Sequence, residues 1–452
     1  MTIRSDIPTC PERPAARSTG TSRDYEISLI TPLFGGGVKT RENDPSFAIR
    51  PTAIRGQLQF WWRATVGAQY ATSESLRVAE SEVWGNTDRA SGVQVRIETV
   101  KTSEPVACAR FEHDRNDANA FRSMPTWNAP FNDTALPYAL FPFQGQLANG
   151  RRRIDVEPAS CIHKAVFRLE INAHQDLDFA KQVEPAIWAW LNFGGVGCRT
   201  RRGCGTIYCK ELAPKDRDDL KAAWLRHMPE LFPQREWPTL AEAVLVAPVQ
   251  PDAITAWDCV IGKFKHFRQG VGFARNPGQQ PNRPGRSRYP EPESIRDISN
   301  LGTSRQRSGH QRLPAIPADA FPRAELGLPI VFHYPPGQGE PTDTVLYPAN
   351  DSDGNQRERM ASPLVLKPLA LQSGKAIPLI LRLKTPVLSG VDLRRGENSV
   401  SLPSTTAIRD PRLSSYPNSP LTGSPDGSAL EAFIEFARDK QFTDEQFTEV
   451  KR

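Results

Sequence analysis

The sequence lacks the marks of several common protein classes. No apolar run in its 452 residues approaches the roughly 18 that suggest a membrane span. The opening stretch MTIRSDIPTCPERPAARSTGTSRD has no apolar core of the kind a secretory leader carries, so residues 1–23 are expected to form a disordered arm. Cysteine is sparse and odd in number, seven in all, and no CxxC pair occurs. Cys198, Cys204 and Cys209 are spaced too loosely for a zinc knuckle, so the cysteines read as reduced, buried or loop thiols of a cytoplasmic protein. HExxH, HxH and acidic metal clusters are absent from the sequence. Histidines stand at 113, 163, 174, 227, 266, 310 and 333, and no spacing among them pairs a general base with a second group. The expectation is a protein with no catalytic set, no metal and no cofactor.

The formal net charge of +6 and the pI near 8.9 tilt the chain toward polyanionic partners. The 41 prolines beside 31 glycines imply long irregular segments, which in a compact protein tend to carry function.

YEISLITPLFGGG, Tyr25 to Gly37, alternates Ile27, Leu29 and Thr31 with Glu26, Ser28 and Ile30 and predicts a strand ended by Pro32 and the glycines. Residues 27–32 also match Leu381-Arg382-Leu383-Lys384-Thr385-Pro386, an internal echo that suggests two related domains. After Pro51, Thr52 is placed to cap a helix whose Ile54, Leu58, Trp61, Trp62 and Thr65 share one face, while Arg55, Gln59 and Arg63 form a polar stripe. Gly56 inside this helix suggests the close approach of another backbone or a ligand. A second helix, with Pro185 in its first turn and Gly194 at its end, precedes the predicted strand GTIYCKEL. Core strands are expected in ELGLPIVFHY and SPLVLKPLAL, flanking a loop over Pro335–Asn355. A weakly structured Ser/Pro-rich region is expected over 394–428, and a closing amphipathic helix carries Leu430, Phe433, Ile434 and Ala437. Strands with intervening helices on both sides of a division between Pro214 and Asp258 give an α+β architecture.

Between the second helix and its strand lies NFGGVGCRTRRGCG. It has no GxxxxGK[ST], and Gly195-Val196-Gly197 is not followed by the spacing of a GxGxxG fingerprint. Both motifs also need strand, loop, then helix, and here the order is reversed, which excludes ATP and NAD loops. A polymeric phosphate backbone fits better. Gly194, Gly195, Gly197, Gly203 and Gly205 would let main-chain N–H groups come close, and Arg199, Arg201 and Arg202 would supply paired donors. A solvated basic hairpin is the competing reading. The stretch 262–312 fits the same idea, with Lys263, Lys265, Arg268, Arg275, Arg286, Arg288 and Arg296 interleaved with Phe264, Phe267, Phe273 and Tyr289. A charged disordered linker is its alternative.

Taken together, ITPLFGGG, IRPTAIRGQLQFWWRA, EVWG, FGGVGCRTRRGCG, GRSRYPEPESIR, LGLPI and ASPLVLKPLAL resemble, in the same order, the first subunit of the CRISPR RAMP module, the Cmr complex of type III-B systems. The glycine-rich loop alone marks the wider RAMP superfamily; RPTAIRGQLQFWWR and RSRYPEPESIR are more specific. Tyr289 stands where that family would place a tryptophan, and the tail after Arg394 has no counterpart. The resemblance implies two ferredoxin-like domains of the RNA-recognition βαββαβ type, over 24–213 (glycine loop 193–205) and 258–452, joined by a connecting region 214–257. It also implies a non-catalytic subunit that holds the 3′ portion of a guide RNA, or the guide–target duplex, beside other RAMP subunits. Arg50, Thr52 and Arg55 match the family's entry to the first helix, the loop glycines and arginines the superfamily pattern, and Arg286, Arg288 and Arg296 its basic signature. The alternatives are a metal-independent endoribonuclease acting on guide precursors through His266 or His310, and a protein-only assembly adaptor.

Overall fold

The computed structural model describes residues 20–44, 47–241, 243–269, 274–275, 286–287, 289–301, 319–334, 339–350, 354–355, 357–395, 398–401, 407–416, 419–439 and 446–451. Helix and sheet are mixed throughout. The first unit runs β1 (Thr21–Leu29), α1 (Pro51–Ala64), α2 (Ser73–Trp84), β2 (Val93–Thr102), β3 (Ala165–Ala173), α3 (Glu184–Phe193) and β4 (Ile207–Tyr208). Its four strands form an antiparallel sheet ordered β4-β1-β3-β2. Tyr25, Ile27 and Leu29 of β1 point into the core, as alternation requires. β1 begins at Thr21 and so takes in the end of the segment expected to be a disordered arm; residues 1–19 lie outside the described residues.

The second unit runs β5 (Ala243–Val246), α4 (Ala253–Gln269), β6 (Leu364–Ala370), β7 (Ala376–Arg382), α5 (Ala429–Arg438) and β8 (Thr448–Lys451). Its sheet is ordered β8-β5-β7-β6, again antiparallel. Both sheets therefore share one strand order: fourth, first, third, second. Two expectations change. β5 and the start of α4 fall inside 214–257, so that stretch carries the first strand of the second sheet rather than a bare connection. The repeat exists as topology, but the echo matched the wrong strands: β1 is the first strand of its sheet, whereas Leu381 and Arg382 end the third strand of theirs.

α1 begins at Pro51, with Arg50 as its N-cap and no side-chain cap. Proline at the first position places Thr52 two residues past the cap position, and it is exposed. Ile54, Leu58, Trp61 and Trp62 bury the predicted face. Around Gly56 no described atom lies within 4 Å of where a Cβ would stand, so no other backbone approaches it. α3 begins with Pro185 in its first turn and ends at Gly194, as expected, whereas the strand after the loop is only Ile207–Tyr208. The stretch expected to be a loop over Pro335–Asn355 contains a strand, Thr344–Pro348, within a third sheet. In the Ser/Pro-rich region, Leu413, Tyr416 and Leu421 are buried. α5 is capped by Ser428, and its Leu430, Phe433, Ile434 and Ala437 are buried as predicted.

β6 and β7 are buried along nearly their whole length, LVLKPLA and AIPLILR. Strands covered on both faces read as continuous apolar runs. One face, with Val365, Leu369, Ile377, Leu379 and Leu381, joins the core of the first unit. The other, with Leu366 and Ile380, packs under α4 and α5. No helix among the described residues is long and apolar enough to cross a membrane.

Candidate nucleic-acid interface

The glycine-rich loop sits where the two units meet. Gly194 ends α3, and its carbonyl accepts a 2.7 Å bond from Lys367 Nζ, which reaches across from β6. Lys367 is fully buried, and burial pushes its ammonium down to about 7. A lone lysine inside an apolar strand was the sequence signal for this contact, and reasoning from motifs passed over it. The loop is further tied by Val196 N–H to Gly205 O (2.9 Å), Cys198 N–H to Phe34 O (2.8 Å) and Gly205 N–H to Pro32 O (2.9 Å). Thr31 Oγ1 donates to Gly203 O at 2.6 Å, and Trp257 Nε1 to Arg202 O, also at 2.6 Å.

These contacts account for the glycines. A Cβ on Gly205, whose φ is +61°, would strike the Val196 carbonyl, and one on Gly203 (φ +84°) would strike the Trp257 indole. At Gly197 it would lie 2.5 Å from Phe34 O, at Gly195 2.6 Å from Gly205 O, and at Gly194 2.6 Å from Trp61 Nε1. The protein's own packing needs every one of them, so their density is not in itself a mark of a bound phosphate.

The arginines divide. Arg202 donates to Leu364 O at 2.9 Å and lies 5.0 Å from the Phe264 ring centroid. Arg201 donates to Ser362 O and stacks 5.3 Å from Phe60. Arg199 sits in the left-handed region at φ 56°, uncommon for a residue with a side chain, and its buried Nε has no partner among the described residues. Arg268, from α4, lies 5.8 Å from the same Phe264 ring, and its Nε is likewise buried and unpartnered. Among the described residues none of these four guanidiniums has a carboxylate partner. Burial holds Arg199 and Arg201 below the usual range. Arg202 is pushed down to about 9, first by burial and then by Arg199, Arg268 and Arg201. Tyr138, edge-on to Phe264 at 6.2 Å, closes one side of the cluster. A compact set of like charges with unused donors is a place where an anion gains energy.

Several of the other candidates are paired or buried. Arg50 pairs with Asp44 at 2.7 Å, and Arg63 forks onto Glu80 at 2.8 and 2.6 Å. Arg55 donates to the Trp84 carbonyl. Lys263 is 1% exposed and donates to Asp439 O at 2.7 Å beneath Phe436. Arg296 is held between Glu293 (3.0 Å) and Glu340 (2.9 Å). Lys265 is exposed. Arg275 and Arg286 pair by backbone in a short ladder; Arg288 lies outside the described residues. Three of the four aromatics expected to stack on bases belong to the core. Phe264 and Phe267 are buried, and Tyr289 Oη donates to Phe267 O at 2.8 Å. Phe273 and His310 lie outside the described residues, and His266 packs its ring 5.8 Å from Phe436.

Residues 26–208 match the RAMP superfamily. Over 194 residues the chain is 25% identical to the CRISPR system Cmr subunit Cmr1-2 of Pyrococcus furiosus, covering 42% of this chain and 95% of that protein. With subunit Cmr1-1 of the same organism it shares 24% over 198 residues, 44% of this chain and half of that one. Among solved structures, apo Cmr1 from Pyrococcus furiosus aligns over 81% of this chain and 89% of its own, with TM-score 0.47 and 16% identity. A chain of the type III-B Cmr-β complex bound to cognate target RNA aligns over 80% and 96%, with TM-score 0.45 and 12% identity. In residues 26–208 the chain is thus similar to the RAMP superfamily, and over less than half of its length it is similar to subunits of the CRISPR Cmr system.

Proposed function

We propose that this chain is a non-catalytic RNA-binding subunit of a type III-B CRISPR effector, built from two ferredoxin-like units and holding the 3′ portion of the guide, or the guide–target duplex, beside other RAMP subunits. The observation that carries the reading is the arginine cluster at the junction of the units. Arg199 and Arg268 keep unused donors, and Arg201 and Arg202 add charge without a carboxylate to cancel it. An unsatisfied buried donor costs about 1–3 kcal/mol, a cost that a phosphate oxygen removes. Guanidinium suits phosphate through its planar fork. The cluster reads backbone, not bases, so sequence specificity falls to base pairing by the guide.

The test is photo-crosslinking of the full chain to a single-stranded guide carrying 4-thiouridine, with adducts mapped by mass spectrometry. Adducts are expected within Gly194–Gly205 and Lys265–Arg268. Adducts confined to other surfaces, or none, overturn the assignment.

A further inference from the structure

A groove of about 740 Å³ opens beside the glycine loop, on the second unit. Arg201 is among its lining residues, and α5 forms one wall. The stretch after β7, Lys384 to Ser389, and the stretch before β6, Arg357 to Pro363, form others. The groove is amphipathic. Leu383, Leu430 and Ile434 make an aliphatic floor, and Val387 stands 70% exposed at the lip.

Charge along the groove is one-sided. Seven basic side chains line it against three acidic ones. Three of the basic groups already have carboxylates: Arg382 binds Glu431, Arg409 binds Glu325, and Arg438 lies 3.2 Å from Glu449. Lys384 donates to the Phe232 carbonyl at 3.4 Å. Arg357 and Arg359 are exposed on the rim and have no ion pair among the described residues.

A second observation concerns the backbone. Lys384 still exchanges bonds with Thr239, and Gly390 O accepts from Ala349 N–H. Between them, Val387, Leu388 and Ser389 make no backbone hydrogen bond among the described residues. This is an open length of main chain at the edge of an apolar channel, the arrangement that receives an extended segment by strand addition.

Two properties set a protein segment above RNA as the occupant. No aromatic ring lines the groove among the described residues, and unpaired bases are held chiefly by stacking on rings. Glu325, Glu431 and Glu449 already occupy Arg409, Arg382 and Arg438, which leaves no continuous track of available cations for a phosphate backbone, whereas the spaced carboxylates of a peptide can meet Arg357 and Arg359. We propose that this groove binds an extended acidic segment of a partner protein, with aliphatic side chains on the Leu383–Ile434 floor, carboxylates at Arg357 and Arg359, and main-chain bonds along Val387–Ser389. The proposal does not depend on the RNA assignment above.

The experiment pans a phage-displayed random dodecapeptide library against the full chain, then measures the enriched peptide, made synthetically with a fluorescein label, by anisotropy. Enrichment of sequences alternating Asp or Glu with Leu, Ile or Val is expected. R357E/R359E should weaken the peptide by at least about tenfold, and V387D should weaken it too. All three positions are exposed, so these variants keep the fold, which a matching thermal melt verifies. The proposal is overturned if no acidic pattern is enriched, or if R357E/R359E leaves the peptide's affinity unchanged. It is equally overturned if a fluorescein-labelled dodecauridylate binds the groove instead, losing affinity in R357E/R359E but not in R199A/R268A.

Discussion

The double variant R199A/R268A tests the arginine cluster most directly. Each side chain brings a guanidinium whose buried Nε is unpartnered in the free protein, so truncation breaks no internal hydrogen bond at that atom and stability should hold. If each arginine neutralises one phosphate, the variant loses two contacts. For single strands the slope of log K against log salt is about −0.7 per phosphate, so the slope should become shallower by about 1.4. Between about 50 and about 200 mM KCl, that change shrinks the variant's defect roughly sevenfold. The assay is anisotropy of a labelled single-stranded RNA titrated with full chain across the salt series, with a thermal melt on the same samples. R202A is the contrasting control. Its guanidinium donates to Leu364 and Leu326 carbonyls, so it should lower the melting temperature as well as the affinity. A double variant with wild-type slope and wild-type melt would refute the reasoning, because the charge would then be absent from the RNA contact without any structural excuse.

Two further outcomes follow from the same geometry. R296A should lower stability by about 1.5–3 kcal/mol, since it removes the charge-assisted bonds to Glu293 and Glu340, while RNA affinity in the anisotropy assay stays at wild type; a stable R296A with weakened RNA binding would reverse that reading. G205A should lower the urea-unfolding stability by roughly 3 kcal/mol or more through its positive φ and the Val196 carbonyl, whereas G56A, with open space around it, should raise it by about 1 kcal/mol; a G56A variant that loses RNA affinity would show that a ligand does approach that helix.

Local periodicity made most elements legible. The face of α1, the stop at Gly194, the alternation of β1 and the stripe on α5 are set by residues within a turn or two of each other, and each stands where its spacing placed it. Thr52 missed because Pro51 occupies the first helical position, a competition between two local signals. The repeat missed because equivalence of strands is decided by pairing. β7 meets β6 across a tight turn but β5 across a long stretch of chain, and an echo of six residues carries no information about which neighbour a strand will choose.

The basic residues were legible as charge but not as available charge. Glu293 lies three residues before Arg296, a pairing that helical spacing announces, but Glu340 and Glu80 come from distant segments, and only the fold brings them to Arg296 and Arg63. The glycines were misread for a related reason. Their density pointed to a ligand pressed against the backbone, yet the objects pressed against it are the Trp257 indole, the Val196 carbonyl and the Phe34 carbonyl. The loop's conformation is thus dictated by the junction of the two units, and its glycines would be required whether or not RNA ever bound. What packing does not account for is Arg199, held at a positive φ with a buried donor that has no acceptor among the described residues. The case for an anion at this loop therefore rests on that arginine and on Arg268 beside it, and it fails if those two side chains can be removed without consequence.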